Sequence, residues 1–582
     1  MSEIVQSVPG WVHSLHIVDK EAKINTLMVK EKIYQKDAEG NVTYRDNLKF
    51  INDPVRPVWV TKPGCRNHQF KKEFEYLTNL DRYNVPDSKV CQTAQSALDG
   101  RYSSYEPRLR NLCSSPFVYA ADIEAGVFTR YRYQKQIEDL GGIPFKYTVG
   151  CLDIENEVRG DGRINAITFI HENEIFTTVL DDYMYIHDRD KGTKVKATRE
   201  DALAAIKETV GPLLSEHKFK LTFAIHTNEV DMIKWIFKHI HEKKTDFIGI
   251  WNMRHDIPHM MYRLLKNDVL PETVMPHPDV PVNLRFVRYN DDKTKDLQHI
   301  TDRWDWCEIP GHSQFVDAMC LYARIRKTSG RKSSYSLDAV SNEEVGKGKL
   351  KLGRITNHWY EQNYRFLPYI AYNINDCVLM QLMEWKNHDY SQLLSLSGVS
   401  MLNDFNKQTA MGKNSTFIYA LGKGRVIASV GKDMLTPFDK DIPKLGGAVL
   451  SPARAKNIGS KILKEAPGIE TQVVMSVNDL DVTAEYPSIT ATFNISKETK
   501  LSTALTIEGM PRSATEGFFS ELPSPLENAV PLCSNYFGLP NYTKMGELFD
   551  QYVTILLKQK SDPLIADIDP LELLDIPLVL SK

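Results

Sequence analysis

Apolar and polar positions alternate in short runs over the first 145 residues of the chain, and this pattern predicts strands. The runs at 58–61 and 117–121, together with turn signals such as residues 37–40, are typical of a mixed N-terminal domain. From residue 147 the predicted strands are 147–155, 166–170, 175–180, 220–225 and 246–251, and the predicted helices are 199–214 and 229–243. Strands in series, followed by alternating helices and strands, predict a mixed sheet flanked by helices.

Two carboxylates stand at the end of the first of these later strands. Asp153 and Glu155 share one face of that strand, because positions i and i+2 point the same way. A further acidic residue, Asp256, follows a strand-to-helix junction that carries Asn252. We expect their carboxylates to belong to one cluster.

A later helical segment adds one more carboxylate. Tyr372 and Asp376 lie at spacing i, i+4 and therefore share one face of that helix. Carboxylate oxygens are the ligands that Mg²⁺ and Mn²⁺ prefer, and four of them can hold two ions that cleave a phosphodiester. The predicted metal ligands here are Asp153, Glu155, Asp256 and Asp376, and the Tyr372 hydroxyl could orient the attacking water.

The predicted fold class is mixed α/β (α+β), and the arrangement from residue 146 fits an RNase H-like nuclease domain. The predicted domains are an N-terminal domain (1–145), a nuclease domain (146–388), a linker that returns to the N-terminal domain (389–440), a further domain (441–540) and a tail (541–582).

Composition agrees with an ordinary globular protein of several domains. The 582 residues are 42% apolar and 25% charged, and the net charge of −3 means that any contact with nucleic acid must come from local patches. The eight cysteines form no Cys-x-x-Cys pair, which argues against a zinc site or a disulfide framework. No signal peptide or membrane-spanning segment can be recognised, so a cytoplasmic, soluble protein is expected.

Basic residues cluster in two places after residue 320. The first cluster contains Arg324, Arg326, Lys327, Arg331 and Lys332, and the second contains Lys347, Lys349, Lys351 and Arg354. Such clusters can neutralise phosphates of DNA, and the alternative is a solvated charged loop. Asp122-Ile-Glu124 has an Asp-x-Glu form as well, but no hairpin can be read after it, and we interpret it as structural or solvent-facing.

A last acidic motif lies at residues 475–489. A β-type run ends in Asp481, and the turn at Tyr486-Pro-Ser-Ile follows, where Pro487 ends the strand. A carboxylate at the end of a strand can hold a divalent ion, and the aromatic five residues later can wall the pocket that the ion serves.

These motifs, in this order, resemble family B DNA polymerases, especially those of T-even-like phages. The segments at 147–155, 251–263 and 369–382 resemble the three proofreading exonuclease motifs of that family, and Asp481 with Tyr486 resembles its first catalytic motif. The chain departs from the family where His255, rather than Phe, precedes Asp256 across a shortened gap, and this affects mainly the placement of Asn252.

The resemblance implies that residues 441–540 form the first half of a palm, in which Asp481 and the Val482 carbonyl hold Mg²⁺ while Tyr486 packs under the incoming sugar of a dNTP. Gly446 and Gly447 resemble the glycine loop between exonuclease and palm, where the backbone approaches DNA closely, with a tight turn as the alternative. The implied substrates are a primer–template and a single-stranded 3′ end.

The fingers motif and the Asp-Thr-Asp hairpin of the family are missing after residue 489. We therefore expect the N-terminal part of a split or truncated polymerase, with proofreading activity, in a phage-infected host cell. A second chain would supply fingers, the rest of the palm and the thumb, and a sliding clamp is a further expected partner. Residues 541–582 would begin the fingers or dock a partner. The alternatives are a free-standing 3′→5′ exonuclease and a non-catalytic scaffold.

Overall fold

The computed structural model describes residues 4–68, 72–98, 108–140, 142–143, 145–188, 193–290, 299–351 and 357–429. All of them lie in one compact unit, Met1–Met434. The predicted domains at 441–540 and 541–582 lie outside the described residues. The boundaries proposed near 145 and 388 stay predictions.

The described residues form eighteen strands and twelve α-helices. The strands are β1 (Ile4–Val18), β2 (Asn25–Asp37), β3 (Val42–Asn52), β4 (Val55–Thr61), β5 (Phe74–Tyr76), β6 (Leu80–Pro86), β7 (Val118–Tyr119), β8 (Val149–Asn156), β9 (Ile164–His171), β10 (Glu174–Leu180), β11 (Tyr185–Asp188), β12 (Thr193–Lys196), β13 (Lys220–His226), β14 (Phe247–Ile250), β15 (Arg288–Asn290), β16 (Trp306–Glu308), β17 (Gln314–Asp317) and β18 (Arg425–Ile427). The helices are α1 (Val90–Ala97), α2 (Leu109–Cys113), α3 (Ala125–Asp139), α4 (Arg199–Glu216), α5 (Glu229–Lys243), α6 (Met253–Lys266), α7 (Ala318–Ile325), α8 (Leu337–Val345), α9 (His358–Tyr364), α10 (Phe366–Asn387), α11 (Asp389–Leu396) and α12 (Gln408–Gly422).

An eight-stranded sheet in the order β13-β10-β9-β8-β14-β17-β16-β15 forms the centre of the described part. Strand β8 pairs antiparallel with β9 and parallel with β14, and β14 pairs parallel with β17. The sheet is therefore mixed, and the prediction of a mixed α/β fold is confirmed. The finer prediction of an RNase H-like domain stays a prediction.

Helices cover both faces of this sheet. One apolar cluster packs α4 and α10 against one face through residues such as Ile170 and Phe223, and a second packs α5 and α6 against the other through residues such as Ile154 and Phe169. Helix α10 is buried on nearly every side, and most of its buried side chains are apolar.

Local sequence explains where the flanking helices begin. Thr198 and Asp201 form a reciprocal capping box at the start of α4, and the Asn228 side chain accepts from the backbone of Asp231 at the start of α5. The bounds predicted for α5 match the structure, whereas α4 runs two residues further than predicted.

The N-terminal part contains two smaller three-stranded sheets, β1-β2-β3 and β6-β4-β7. Lys30 and Lys32 of β2 form buried ion pairs with Asp246, which also accepts from the backbone N–H of Thr148 at 2.8 Å. These contacts hold the start of β8 and the start of β14 side by side. None of the helices in the described residues has the length and apolar content needed to cross a membrane.

Candidate metal centre

Strand β8 presents its two carboxylates to one side of the sheet. Cys151 packs in the cluster with α4 and α10, whereas Leu152 and Ile154 pack in the cluster with α5 and α6. Because side chains alternate along a strand, Asp153 and Glu155 point the same way as Cys151, toward α10. The structure therefore confirms the prediction that Asp153 and Glu155 share one face of the strand.

Helix α10 meets this face with a row of polar side chains. Asn373 donates from Nδ2 to Asp153 Oδ2 at 2.7 Å, and the Tyr369 hydroxyl donates to Glu155 Oε2. One turn beyond Asn373, Asp376 completes the row at spacings of three and four residues, which share one helical face. The helix therefore orients both β8 carboxylates and adds a third.

Asp256 reaches the same region from the other layer. It lies in the first turn of α6, is buried, and accepts at Oδ1 from the backbone N–H of Ile154 at 3.2 Å. Since β8 and β14 run parallel, the helix that follows β14 begins beside the end of β8 that carries the acidic pair. Asp256 therefore lies next to Asp153 and Glu155 in the fold, although it is far from them in the sequence.

Lys349 brings a positive charge into the carboxylate group. Its ammonium donates to Asp376 Oδ2 at 2.6 Å and to the Tyr372 hydroxyl at 3.2 Å. The preceding loop packs tightly on α8, because a Cβ on Gly348 would stand 2.5 Å from Asp338 Oδ1, which accepts from the Lys349 backbone N–H. This hydrogen bond holds the backbone of Lys349 beside α8, and from there its side chain reaches the site.

Asp153, Glu155 and Asp376 fit a divalent ion. One carboxylate oxygen of each lies within 4.8 Å of the others. Asp376 Oδ1 is buried and has no hydrogen-bond partner, so a ligand position remains open on it. Three carboxylates offer only hard oxygen donors, the set preferred by Mg²⁺ and Mn²⁺ rather than by zinc.

Burial and mutual repulsion shift the protonation of the whole group. Burial, with the charges of Asp256, Asp376 and Glu155, holds the pKa of Asp153 well above its usual range. Burial raises the pKa of Asp256 to about 8 and that of Glu155 to about 7, although the Tyr369 hydroxyl opposes the latter. Burial raises the pKa of Asp376 to about 6 against the opposing charge of Lys349. Without a bound cation, it is costly to ionise several of these carboxyl groups together.

The metal-free protein is therefore expected to lose stability as pH rises. A carboxyl with a raised folded-state pKa contributes stability that is full below its unfolded pKa and is lost as pH climbs through the folded value, about 6 to 8 here. In EDTA, wild type should lose at least about 1.4 kcal/mol more free energy of unfolding than Asp256→Asn between pH ~5.5 and pH ~8.5, the equivalent of one pKa unit. Equal losses in the two proteins, measured by chemical denaturation, would contradict the assignment.

Two other groups of potential ligand atoms lie in the described residues, and both are already engaged. Asp317 accepts from the backbone N–H groups of Met253 and Cys320, and its neighbour Asp305 pairs with Arg254. In the group of His277, Asp279 and His312, the Lys30 ammonium lies 3.2 Å from His312 Nδ1. The first group already uses its oxygens in these contacts, and the second offers one carboxylate beside two imidazoles, so neither suits Mg²⁺ as well as the three carboxylates on β8 and α10.

The remaining predicted residues have other surroundings in the structure or lie outside the described part. Asn252 is exposed at the start of α6 with a φ of 63°, a conformation that asparagine tolerates. Three of the cations predicted to contact DNA are engaged inside the chain: Arg324 with Thr301 O, Arg326 with Asp389 and Lys327 with Asp302. Their role in DNA binding stays a prediction. Gly446, Gly447, Asp481, Val482 and Tyr486 lie outside the described residues.

Sequence reasoning missed the residues that orient the carboxylates. Tyr369 and Asn373 lie one turn apart on the face of α10 that carries Asp376, and this periodicity was the available signal. His358 at the start of α9 adds a further layer, since its Nδ1 lies 2.9 Å from the Tyr369 hydroxyl. Lys349 was predicted to bind DNA, and the structure places it on Asp376.

Replacing Tyr369 with phenylalanine is expected to weaken the apparent affinity for Mg²⁺ about 10- to 100-fold, because groups that orient metal ligands contribute to affinity on this scale. The hydroxyl stabilises ionised Glu155, so its loss should raise the Mg²⁺ concentration that gives half-maximal nuclease rate. Tyr364→Phe is the matched control, since Tyr364 is exposed at the end of α9. An unchanged Mg²⁺ requirement in Tyr369→Phe would show that the hydroxyl does not act through Glu155.

Comparison with known proteins does not assign the chain to a family. No protein-family model matches it, and no curated protein matches it. The resemblance to family B polymerases therefore rests on the motifs alone.

Proposed function

We propose that the described part of the chain is a divalent-metal-dependent 3′→5′ exodeoxyribonuclease. The observation that carries this proposal is the group of Asp153, Glu155 and Asp376, whose oxygens lie within 4.8 Å of one another. The polarity of digestion and the choice of DNA rest on the resemblance of the three motif segments to proofreading exonucleases.

Asp153, Glu155 and Asp376 would hold Mg²⁺ or Mn²⁺, and Asp256 beside them would bind a second ion. When bound, such ions activate a water molecule and stabilise the leaving oxygen in phosphodiester cleavage. Asn373 and Tyr369 keep the two β8 carboxylates in place by donating hydrogen bonds to them.

Tyr372 and Lys349 supply the other chemistry of the site. Burial raises the pKa of Tyr372 to about 12, so its hydroxyl keeps its proton at neutral pH and can donate to a water or to a phosphate oxygen. Burial lowers the pKa of Lys349, but the charge of Asp376 and the Tyr372 hydroxyl outweigh this, so the ammonium stays charged. A fixed positive charge beside the carboxylates would attract the scissile phosphate.

Directional digestion tests the proposal. The full chain is incubated with a single-stranded DNA of about 20 nucleotides labelled at its 5′ end, in Mg²⁺ and in EDTA. We expect a ladder that shortens from the 3′ end in Mg²⁺ and no digestion in EDTA. Intact DNA under both conditions, or internal cuts without a ladder, would contradict the proposal.

The wider proposal of a polymerase subunit rests on the motif at Asp481, which lies outside the described residues. Primer extension by this chain alone and then with a second chain carrying the fingers motif and Asp-Thr-Asp separates the alternatives. Extension only with the second chain would support a split polymerase. Digestion without extension in either case would favour a free-standing exonuclease.

A further inference from the structure

An apolar groove lies between the β6-β4-β7 sheet and α3, away from the carboxylate group. Its floor comes from one face of the sheet, because Trp59 faces Arg82 and Pro57 faces Asn84 in the register of β4 and β6. The groove has a volume of about 750 Å³, and its lining is Val55, Pro57, Trp59, Leu77, Leu80, Arg82, Asn84, Phe128, Tyr131, Arg132 and Leu421. We call it the β4–α3 groove.

The open part of the floor is aliphatic. Val55 is 47% exposed and Leu77 is 37% exposed, although both are apolar. The Trp59 and Phe128 rings are covered, at 3% and 4% exposed, and the Arg82 guanidinium lies 5.7 Å from the centre of the Trp59 ring, whereas Tyr131 is only partly buried. Aliphatic side chains of a ligand could therefore bury surface here, and Tyr131 is the one lining ring with an open part on which a nucleobase could stack.

Two arginines line the rim without a carboxylate partner among the described residues. Arg82 donates to Asn84 Oδ1 at 3.2 Å, and Arg132 donates to the carbonyl of Val55 at 2.9 Å. Burial lowers the pKa of Arg132, and the positive charge of Arg82 lowers it further, because the two guanidinium groups repel each other. An anionic group between them would relieve this repulsion and could accept from both guanidinium groups.

The groove continues along α3. A second depression of about 410 Å³ shares Tyr131 and Arg132 with the first and extends past Lys135 to Leu140, which is 49% exposed. From Phe128 to Leu140 the helix rises roughly 18 Å, the length of three turns of a peptide helix. Exposed aliphatic positions thus lie in both depressions, and Arg132 lines both of them.

We infer that the β4–α3 groove binds an acidic, aliphatic peptide segment of a partner protein. Leucine-type side chains of the segment fill the floor, and carboxylates between them pair with Arg82 and Arg132. Burial of the aliphatic side chains provides most of the affinity, while the arginines select for negative charge. This surface is separate from the proposed nuclease site, and the inference does not depend on that activity.

Selection from a random 12-residue peptide library on the immobilised full chain tests the inference. We expect selected peptides with Asp or Glu between Leu, Ile or Val, and we expect their affinity to fall at least tenfold on Arg82→Glu/Arg132→Glu. The charge-matched control is Lys207→Glu/Lys238→Glu, because both lysines are exposed on other helices, α4 and α5. That control should bind the peptides as wild type does.

A second substitution separates loss of charge from loss of fold. Leu77→Asp changes an exposed floor residue and should also weaken the peptides at least tenfold while the thermal unfolding midpoint stays close to that of wild type. Selected peptides without carboxylates, or peptides whose binding survives Arg82→Glu/Arg132→Glu, would overturn the inference. So would an oligo-dT of 12 nucleotides that binds wild type and is lost in that variant, because the groove would then be a nucleic-acid site.

Discussion

Asp153→Asn is expected to lower the Mg²⁺-dependent release of 3′-terminal nucleotides by at least about 10³-fold, equivalent to about 4 kcal/mol of activation free energy. One Asp153 oxygen lies within 4.8 Å of oxygens of Glu155 and Asp376, and burial, with the charges of the other three carboxylates, raises its pKa. Asparagine keeps the size of the side chain and removes the negative charge, so the loss would report metal binding rather than packing. The rate is measured by single-turnover digestion of 5′-labelled DNA.

Asp122→Asn is the matched control for this substitution. Asp122 belongs to the Asp-x-Glu sequence that we interpreted as structural, and it pairs with Lys413 at 3.2 Å. The Asp122→Asn variant should digest DNA within about twofold of the wild-type rate. This is a small change, because a factor of ten in rate corresponds to about 1.4 kcal/mol of activation free energy. A wild-type rate in Asp153→Asn, or an equal loss of rate in both variants, would show that the carboxylate group does not take part in the reaction.

Lys349→Met is expected to lower both stability and activity. Asp376 is 3% exposed, so removing its ammonium partner leaves a buried carboxylate unpaired, which costs about 3 kcal/mol at pH ~8. The cost should shrink at pH ~5.5, because Asp376 then takes up a proton in place of the ion pair. Nuclease rate should fall about 10- to 100-fold, since Lys349 also orients the Tyr372 hydroxyl.

Added Mg²⁺ should raise the unfolding midpoint of Lys349→Met by more than that of wild type. Without the ammonium the group carries one more uncompensated negative charge, and a divalent ion relieves it. Lys351→Met, two residues further on and exposed, is the matched control and should behave as wild type. If Lys349→Met were as stable and as active as wild type, the ion pair with Asp376 would contribute to neither stability nor nuclease rate.

Local sequence patterns predicted the elements that carry the site. Alternation along β8 placed Asp153 and Glu155 on one face, and helical spacing placed Tyr372 and Asp376 on one face of α10. The predicted bounds of α5 match the structure, in which the Asn228 side chain caps the start of the helix. These features depend on neighbours within one or two turns, and a sequence shows such neighbours directly.

Contacts between distant parts of the chain could not be predicted in this way. Lys349 stood in a run of basic residues, and its contacts with Asp338 and Asp376 come from parts of the chain that are distant in sequence. Arg326 looked equally suited to DNA, but Asp389 lies 3.0 Å from it in the fold. Charge in a sequence shows which residues need partners, and tertiary packing decides which partners they find.

Binding of Mn²⁺ in the absence of DNA tests the metal centre most directly, because it does not depend on any substrate. The full chain and Asp153→Asn/Asp376→Asn are titrated with Mn²⁺, and free Mn²⁺ is measured by electron paramagnetic resonance. We predict saturable binding by wild type that is competed by Mg²⁺ and lost in the double variant. Equal binding by the two proteins, or none by wild type, would contradict the assignment of Asp153, Glu155 and Asp376 as the metal centre.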